Sequence, residues 1–143
     1  MENRYRPRRT CLSVPGSSEK MIQKAKTLAA DEVFLDLEDA VAPEAKAQAR
    51  VQVAAVLAQP GWAGQLRGVR INDWTTPWTH ADIIEVVARA GASLDIVVLP
   101  KVTDVSHVHA LDLLLGQVEA ANGLPVGRIG IEAQIEDARG LTH

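Results

Sequence analysis

The sequence predicts an α/β fold, and within that class a (β/α)8 TIM barrel of which this chain carries about the first half, up to five strands. Three observations carry the prediction. Short apolar runs alternate strictly with longer amphipathic ones. Strands separated by helices pair in parallel, with right-handed crossovers. Each candidate strand has one apolar face and one face that turns polar. A doubly wound sheet, covered by helices on both sides, keeps both faces apolar, whereas a barrel interior ends at a polar mouth.

The elements follow in order. Residues 10–14, TCLSV, read as the first strand, and the VPGSSEK turn leads into a helix over 18–29. That turn has a single glycine, so it lacks the G-x-G-x-x-G of a dinucleotide-binding fold. Residues 32–37, EVFLDL, form the second strand. Side chains alternate there, with Phe34, Asp36 and Glu38 opposite Leu35 and Leu37. A helix starts near Pro43, a good first-turn residue, and ends before Pro60-Gly61. In the third strand, residues 68–72, Arg70 and Asn72 oppose Val69 and Ile71. A third helix spans 79–90 and stops at Gly91. The fourth strand covers 95–99, and the helix over 104–121 stops at Asn122-Gly123. In the last strand, residues 128–135, Glu132, Gln134 and Glu136 oppose Ile131, Ala133 and Ile135.

Length and composition bound the function. A full barrel needs ~250 residues, and this chain has 143. The expectation is a fragment of a longer protein, with residues 1–9 a leader and 10–143 the N-terminal part of one barrel domain. A free-standing half-barrel would expose two unpaired strand edges. With three Trp, one Tyr and one Phe, the core must come from Val, Leu, Ile and Ala. A net charge of −3 without a Lys/Arg block argues against nucleic-acid binding. No apolar run approaches the ~20 residues of a membrane span. The single cysteine, Cys11, forms no internal disulfide, which fits a cytoplasmic protein. The basic start, MENRYRPRRT, lacks a signal peptide's apolar stretch and reads as a solvated leader able to attract an anion.

Barrels carry their chemistry at the C-terminal strand ends. These ends supply Ser13 and the turn from Pro15 to Ser18, then Glu38 and Asp39, then Arg70 and Asn72, then Lys101, then Glu136. So many carboxylates need counter-charge. Arg70 and Lys101 supply part of it, and a divalent cation would supply more. An all-oxygen set without His or Cys suits Mg2+ or Mn2+. Blander readings stand beside this one. Asp36 and Glu132 fit structural acceptors inside the barrel. Glu38 and Asp39 alone also suit a helix N-terminus. Lys101 also reads as a mere neutraliser. Lys46 and Arg50, four apart on a helix, read as a solvated face. His107 and His109, two apart in a helical pattern, cannot share a metal, and His80 reads as solvated. Trp74 and Trp78 lie in a loop that could cover a ligand or simply pack. Small residues in VPGSSEK, with Lys20 and Lys24, could receive a phosphate, although serines also cap helices.

The motifs RRTCLSVPGSS, VFLDLEDAVAPEAKAQAR, VRIN, LDIVVLPKV and IEAQIEDARGL, in this order, resemble the CitE-like and malyl-CoA lyase branch of the HpcH/HpaI aldolase superfamily. The resemblance runs from Arg9 onward. It implies an Mg2+-dependent (or Mn2+-dependent) barrel enzyme, a homo-oligomer such as a trimer or hexamer. Such enzymes make or break a C–C bond between an acyl-CoA and a 2-oxo acid such as glyoxylate. By resemblance, Glu136 is a metal ligand and Arg70 a substrate-binding, catalytic arginine. Glu38 and Asp39 order water around the metal, and Ser13, Gly16 and Lys24 bind the CoA thioester. Ser18 departs from the arginine some malyl-CoA lyases carry. A second metal-binding Asp and a further catalytic acid are expected beyond residue 143. The implied reaction is cleavage of a malyl-CoA-like 3-hydroxyacyl-CoA. Citramalyl-CoA cleavage, citryl-thioester cleavage and malyl-CoA thioester hydrolysis stay open, as does a catalytically incomplete chain.

Overall fold

The computed structural model describes residues 6–142. Among them, strands β1 (Cys11–Pro15), β2 (Glu32–Asp36), β3 (Leu66–Arg70), β4 (Ile96–Leu99) and β5 (Gly130–Ala133) pair in parallel, side by side in chain order. Between them run α1 (Glu19–Ala25), α2 (Lys46–Leu57), α3 (Thr79–Ala90) and α4 (Val105–Ala121), and α5 (Ala138–Thr142) follows β5. A 3-10 turn, Pro43–Ala45, opens α2. The sequential strand order is that of a barrel wall, since a doubly wound sheet reverses its order midway. The wall is strongly curved. A flat sheet would hold β1 and β5 ~19 Å apart. Yet Cys11 on β1 and Glu132 on β5 bring ligand atoms within 4.8 Å of each other. The expected α/β class and partial barrel are both present.

Alternation along the strands divides the core in two. Val33, Leu35 and Leu37 face the helices, where they pack with Ile22, Val53 and Leu57. Leu35 and Leu37 are fully buried, each contributing roughly 1.5–3 kcal/mol of burial free energy. The concave face holds a smaller cluster, Leu66, Ile96 and Val98 with Phe34 against it. Gly68 makes room there, because a Cβ at this position would sit 2.9 Å from that of Phe34. The sheet is thus greasy outside and mixed inside.

Several boundaries differ from the sequence expectation for local reasons. Helix α1 ends at Ala25 rather than near residue 29. The Gln65 amide donates to the carbonyls of Ala25, Lys26 and Leu28, at 3.3, 3.2 and 2.8 Å, and gathers the chain into a turn. Strand β3 starts two residues early, where the Leu66 N–H donates to the Asp31 carbonyl. Strand β5 is shorter than expected, although the Gln134 N–H still donates to the Leu99 carbonyl at 2.9 Å.

Lys46 and Arg50 are the clearest correction: both are buried rather than solvated. Helix α2 packs on α3, which brings Arg50 Nε to Asp82 Oδ1 at 2.7 Å and Nη1 to Glu85 at 3.2 Å. Lys46 turns under the strand ends and donates to the carbonyls of Leu37 and Glu38, at 2.8 and 2.9 Å. Arg8 and Arg9 are exposed but tied down, Arg8 to Glu132 at 2.7 Å and Arg9 to Asp31 at 3.1 Å. The Arg9 guanidinium holds the Asp31 carboxyl down at about 2.

Candidate active site

The acidic end of β2 and the arginine of β3 meet in one network. Asp36 pairs in register with Arg70, and both side chains project to the concave face. The carboxylate accepts from Arg70 Nε at 2.8 Å and Nη2 at 2.7 Å. It also accepts from the N–H groups of Glu38 at 2.8 Å and Ala40 at 3.0 Å. Burial alone would raise the Asp36 pKa. The bonds from Arg70 and the two backbone donors outweigh it and hold the carboxyl below its usual range. Asp36 is the structural acceptor expected from the sequence, and its saturation aims Arg70. A guanidinium has five N–H donors. Asp36 takes two along one edge and Gln134 Oε1 a third, from Nη1 at 3.4 Å. The opposite edge keeps donors for an anionic group.

Glu38 lies beside this pair and is nearly inaccessible to solvent. Lys101 Nζ approaches its Oε1 at 2.6 Å, and Arg70 Nε its Oε2 at 3.5 Å. These are charge contacts; neither oxygen takes an aligned hydrogen bond. Burial raises the Glu38 pKa, against the pull of Lys101. Lys101 also contacts the exposed Asp39 at 3.2 Å. Its own pKa is raised, chiefly by the close contact with the Glu38 carboxylate. Lys101 has φ 51°, a left-handed conformation uncommon outside glycine. That turn lets its N–H donate to Glu136 Oε1 at 2.9 Å while its side chain reaches Glu38. Glu136 Oε2 accepts from Gln134 at 3.0 Å. One lysine in a strained conformation therefore joins the ends of β2 and β5.

The cleft over this network is about 310 Å³ and includes Glu38, Asp39, Lys46, Asn72, Trp78 and Lys101. Asn72 is fixed by Asp82, whose Oδ2 accepts from its N–H at 2.9 Å and its amide at 2.6 Å. Asp82 in turn holds Arg50, so α2, α3 and the end of β3 share one buried ion pair. Burial lowers the Lys46 pKa, and its ammonium lies 5.0 Å from the centre of the Trp78 ring. Trp74 packs on the core and donates to the His107 carbonyl. His80, His107 and His109 do not line the cleft.

The other expected residues separate. Ser13 and Lys24 line a cleft of about 460 Å³ beside α1, with Lys20, Met21 and Leu28. Gly16 is buried away from it. A Cβ there would meet the Asp36 carbonyl and Val53 at 2.7 Å, so the glycine permits close approach of the turn to β2 and α2. Ser18 caps α1. The mouth offers a hard cation oxygen ligands only: the exposed carboxylate of Glu136, with the Glu38 carboxylate nearby, already ion-paired with Lys101 and Arg70. Mg2+ commonly uses one or two carboxylates and keeps its waters. Among the described residues these carboxylates do not converge as a three-ligand cluster. Sequence reasoning missed Asp82 and the burial of Lys46 and Arg50: Arg50 meets Asp82 from 32 residues away, and Lys46 is buried by backbone carbonyls that periodicity does not aim.

A barrel wall with a braced arginine, a buried carboxylate and a lysine at its C-terminal strand ends has the layout of a barrel enzyme's active-site rim. The chain belongs to the HpcH/HpaI aldolase/citrate lyase family, whose model matches residues 9–143. It is 38% identical over 138 residues to an L-malyl-CoA/beta-methylmalyl-CoA lyase of Cereibacter sphaeroides, covering 96% of this chain and 43% of that one. It therefore spans less than half the length of that relative. A Haloferax volcanii malate synthase superposes with a TM-score of 0.83 at 22% identity, over 98% of this chain and 46% of that one. A citrate lyase beta subunit from M. tuberculosis, complexed with oxaloacetate and magnesium, gives a TM-score of 0.68 at 28% identity. That match covers 94% of this chain and 52% of the other. Among the described residues, no helix is long and apolar enough to cross a membrane.

Proposed function

We propose that the protein is a metal-dependent carbon–carbon lyase, cleaving or forming a malyl-CoA-like 3-hydroxyacyl-CoA from acetyl-CoA and a 2-oxo acid such as glyoxylate. The observation that carries this reading is the Asp36–Arg70 pair, which presents a fixed guanidinium edge next to Glu38. The 38% identity to a malyl-CoA lyase supports the substrate class. Glu136 would be the metal ligand this chain supplies, with Glu38 and Asp39 ordering water around it. When bound, Mg2+ or Mn2+ would polarise the oxo-acid carbonyl. Cleavage takes the substrate's hydroxyl proton, breaks the C–C bond and leaves its electron pair on the acetyl-CoA enolate. Arg70 stabilises negative charge on a substrate oxygen through its free edge. Lys101 holds Glu38 and Asp39 in place. Ser13, Gly16 and Lys24 would receive the CoA moiety, Gly16 through its backbone. A cytoplasmic homo-oligomer, trimeric or hexameric, completes the proposal.

The test, on the full-length protein that carries the ligands expected beyond residue 143, is a panel of malyl-, citramalyl- and citryl-thioesters, assayed for oxo-acid release with and without chelator. Release of glyoxylate from malyl-CoA, abolished by chelation and restored by Mg2+, is the expected result. Thioester hydrolysis without C–C cleavage, or cleavage indifferent to chelator, would reject the lyase reading. Arg70→Lys should cut turnover by about 10²–10³, because a lysine cannot reproduce the bidentate fork.

A further inference from the structure

We propose that Cys11, Glu32 and Glu132 form a second site, for a borderline-soft divalent cation of the Zn2+ class, on the concave face near the starts of β1 and β2. Each residue offers one ligand atom, and these atoms lie within 4.8 Å of one another. The independent observation is Glu32. It is wholly buried, and neither carboxylate oxygen receives a hydrogen bond. Arg8 Nη1 stands 3.9 Å away, the one cation within ion-pair distance among the described residues, and it is already committed to Glu132 at 2.7 Å. The one donor neighbouring Glu32 is the weak Cys11 thiol, its register partner on β1; a buried carboxylate so poorly supplied is costly, and a coordinated cation would remove that cost.

The donor set decides the class of ion. A thiolate beside two carboxylates suits Zn2+ or Cd2+, while Mg2+ prefers oxygen alone. Without metal the Cys11 side chain is a thiol, the ordinary form of a free cysteine at neutral pH. Coordination would displace that proton to solvent as the S–metal bond forms. With thiolate and both carboxylates ionised, the cation and Arg8 together neutralise the cluster. Cys11 is exposed, which gives the ion an entry path. Nothing in the proposed cleavage uses these three residues, so the site stands or falls separately from that reading.

The experiment titrates Cd2+, then Zn2+, into purified protein freed of metal by chelator. One equivalent of Cd2+ should raise an ultraviolet thiolate–cadmium charge-transfer band, which Cys11→Ser abolishes because the chain has no other cysteine. Glu32→Gln and Glu132→Gln should each weaken Zn2+ binding by at least about tenfold. Arg8→Gln should tighten it, since the competing cation on Glu132 is gone. Absence of the band overturns the proposal, as does Zn2+ affinity unchanged by Glu32→Gln, which would mean a lone thiol capturing metal. Should Glu32→Gln fail to fold, Arg8→Gln decides: affinity unchanged or weakened also overturns the site.

Discussion

The two ends of the concave face treat buried charge in opposite ways. At the C-terminal mouth, Asp36 takes four hydrogen bonds, two of them from Arg70. At the other end, Glu32 takes no aligned hydrogen bond and has only the weak Cys11 thiol as a neighbouring donor. Both carboxylates are on β2 and both are wholly buried, four residues apart on the same face. The difference lies in their neighbours. Asp36 faces Arg70 in register and the turning backbone after β2, whereas Glu32 faces Leu66 in register. Burial has the same sign at both ends, and donors decide the outcome: Asp36 titrates below its usual range and Glu32 above. One end is built to hold its charge, and the other is left wanting a cation.

Asp36→Ala should break this comparison most severely. It leaves Arg70 and two backbone N–H groups without their acceptor. Stripping one partner from a buried pair typically costs about 3–5 kcal/mol. The urea midpoint should fall accordingly with an unchanged slope. A loss no larger than that of an exposed ion pair would show that Asp36 does not organise the mouth.

Glu32→Gln should act in the opposite direction. In metal-free protein at neutral pH it should stabilise by about 1 kcal/mol, the low end of the cost of an unsatisfied buried polar group. The pH dependence separates the two ends. The folded pKa of Glu32 is raised by burial, then by Glu132. Its contribution is therefore fully present below its unfolded pKa and lost as pH rises through the folded one. The folded pKa of Asp36 is depressed, so its contribution is present above its unfolded value of about 3.9 and lost as pH falls through the folded one. The Glu32→Gln advantage should thus vanish in acid, while the penalty of Asp36→Asn shrinks there. Parallel pH profiles for both variants would refute the contrast.

Much of the mouth was legible in the sequence because strand alternation is local. Asp36 and Arg70 each close a strand on its polar face, opposite apolar neighbours, and sequential strands in a barrel are neighbours. Their pairing needs only the register. Glu136 and Lys101 follow only from their place just after strand ends, since both lie beyond their strands. Other features depend on packing that periodicity does not report. Arg50 is buried because α2 meets α3, and its partner Asp82 lies 32 residues away. Lys46 reads as a surface residue until Leu37 and Glu38 turn their carbonyls toward it. Glu32 opens its strand, where a polar residue usually signals solvent. Cys11 is its register partner on β1, but only the curvature that carries β5 across to β1 gives it Glu132 as a neighbour. The left-handed turn at Lys101 has no glycine to announce it.

The smallest effect on stability is expected at the exposed rim of the mouth. Asp39 is mostly solvent-facing, and its contact with Lys101 involves two exposed side chains. Such pairs contribute about 0–1 kcal/mol, so Asp39→Asn should move the urea midpoint little. Its effect on metal should be larger. If Asp39 orders water around a cation held by Glu136, the variant should need about 10–100-fold more Mg2+ for half-maximal cleavage, the usual cost of an outer partner. Lys101→Met supplies the control. It frees both Glu38 and Asp39 from their shared cation, so it should disturb folding more than Asp39→Asn does. An Mg2+ requirement left unchanged by Asp39→Asn would reduce this residue to a counter-charge for Lys101. Only Glu38 and Glu136 would then remain in the proposed metal site.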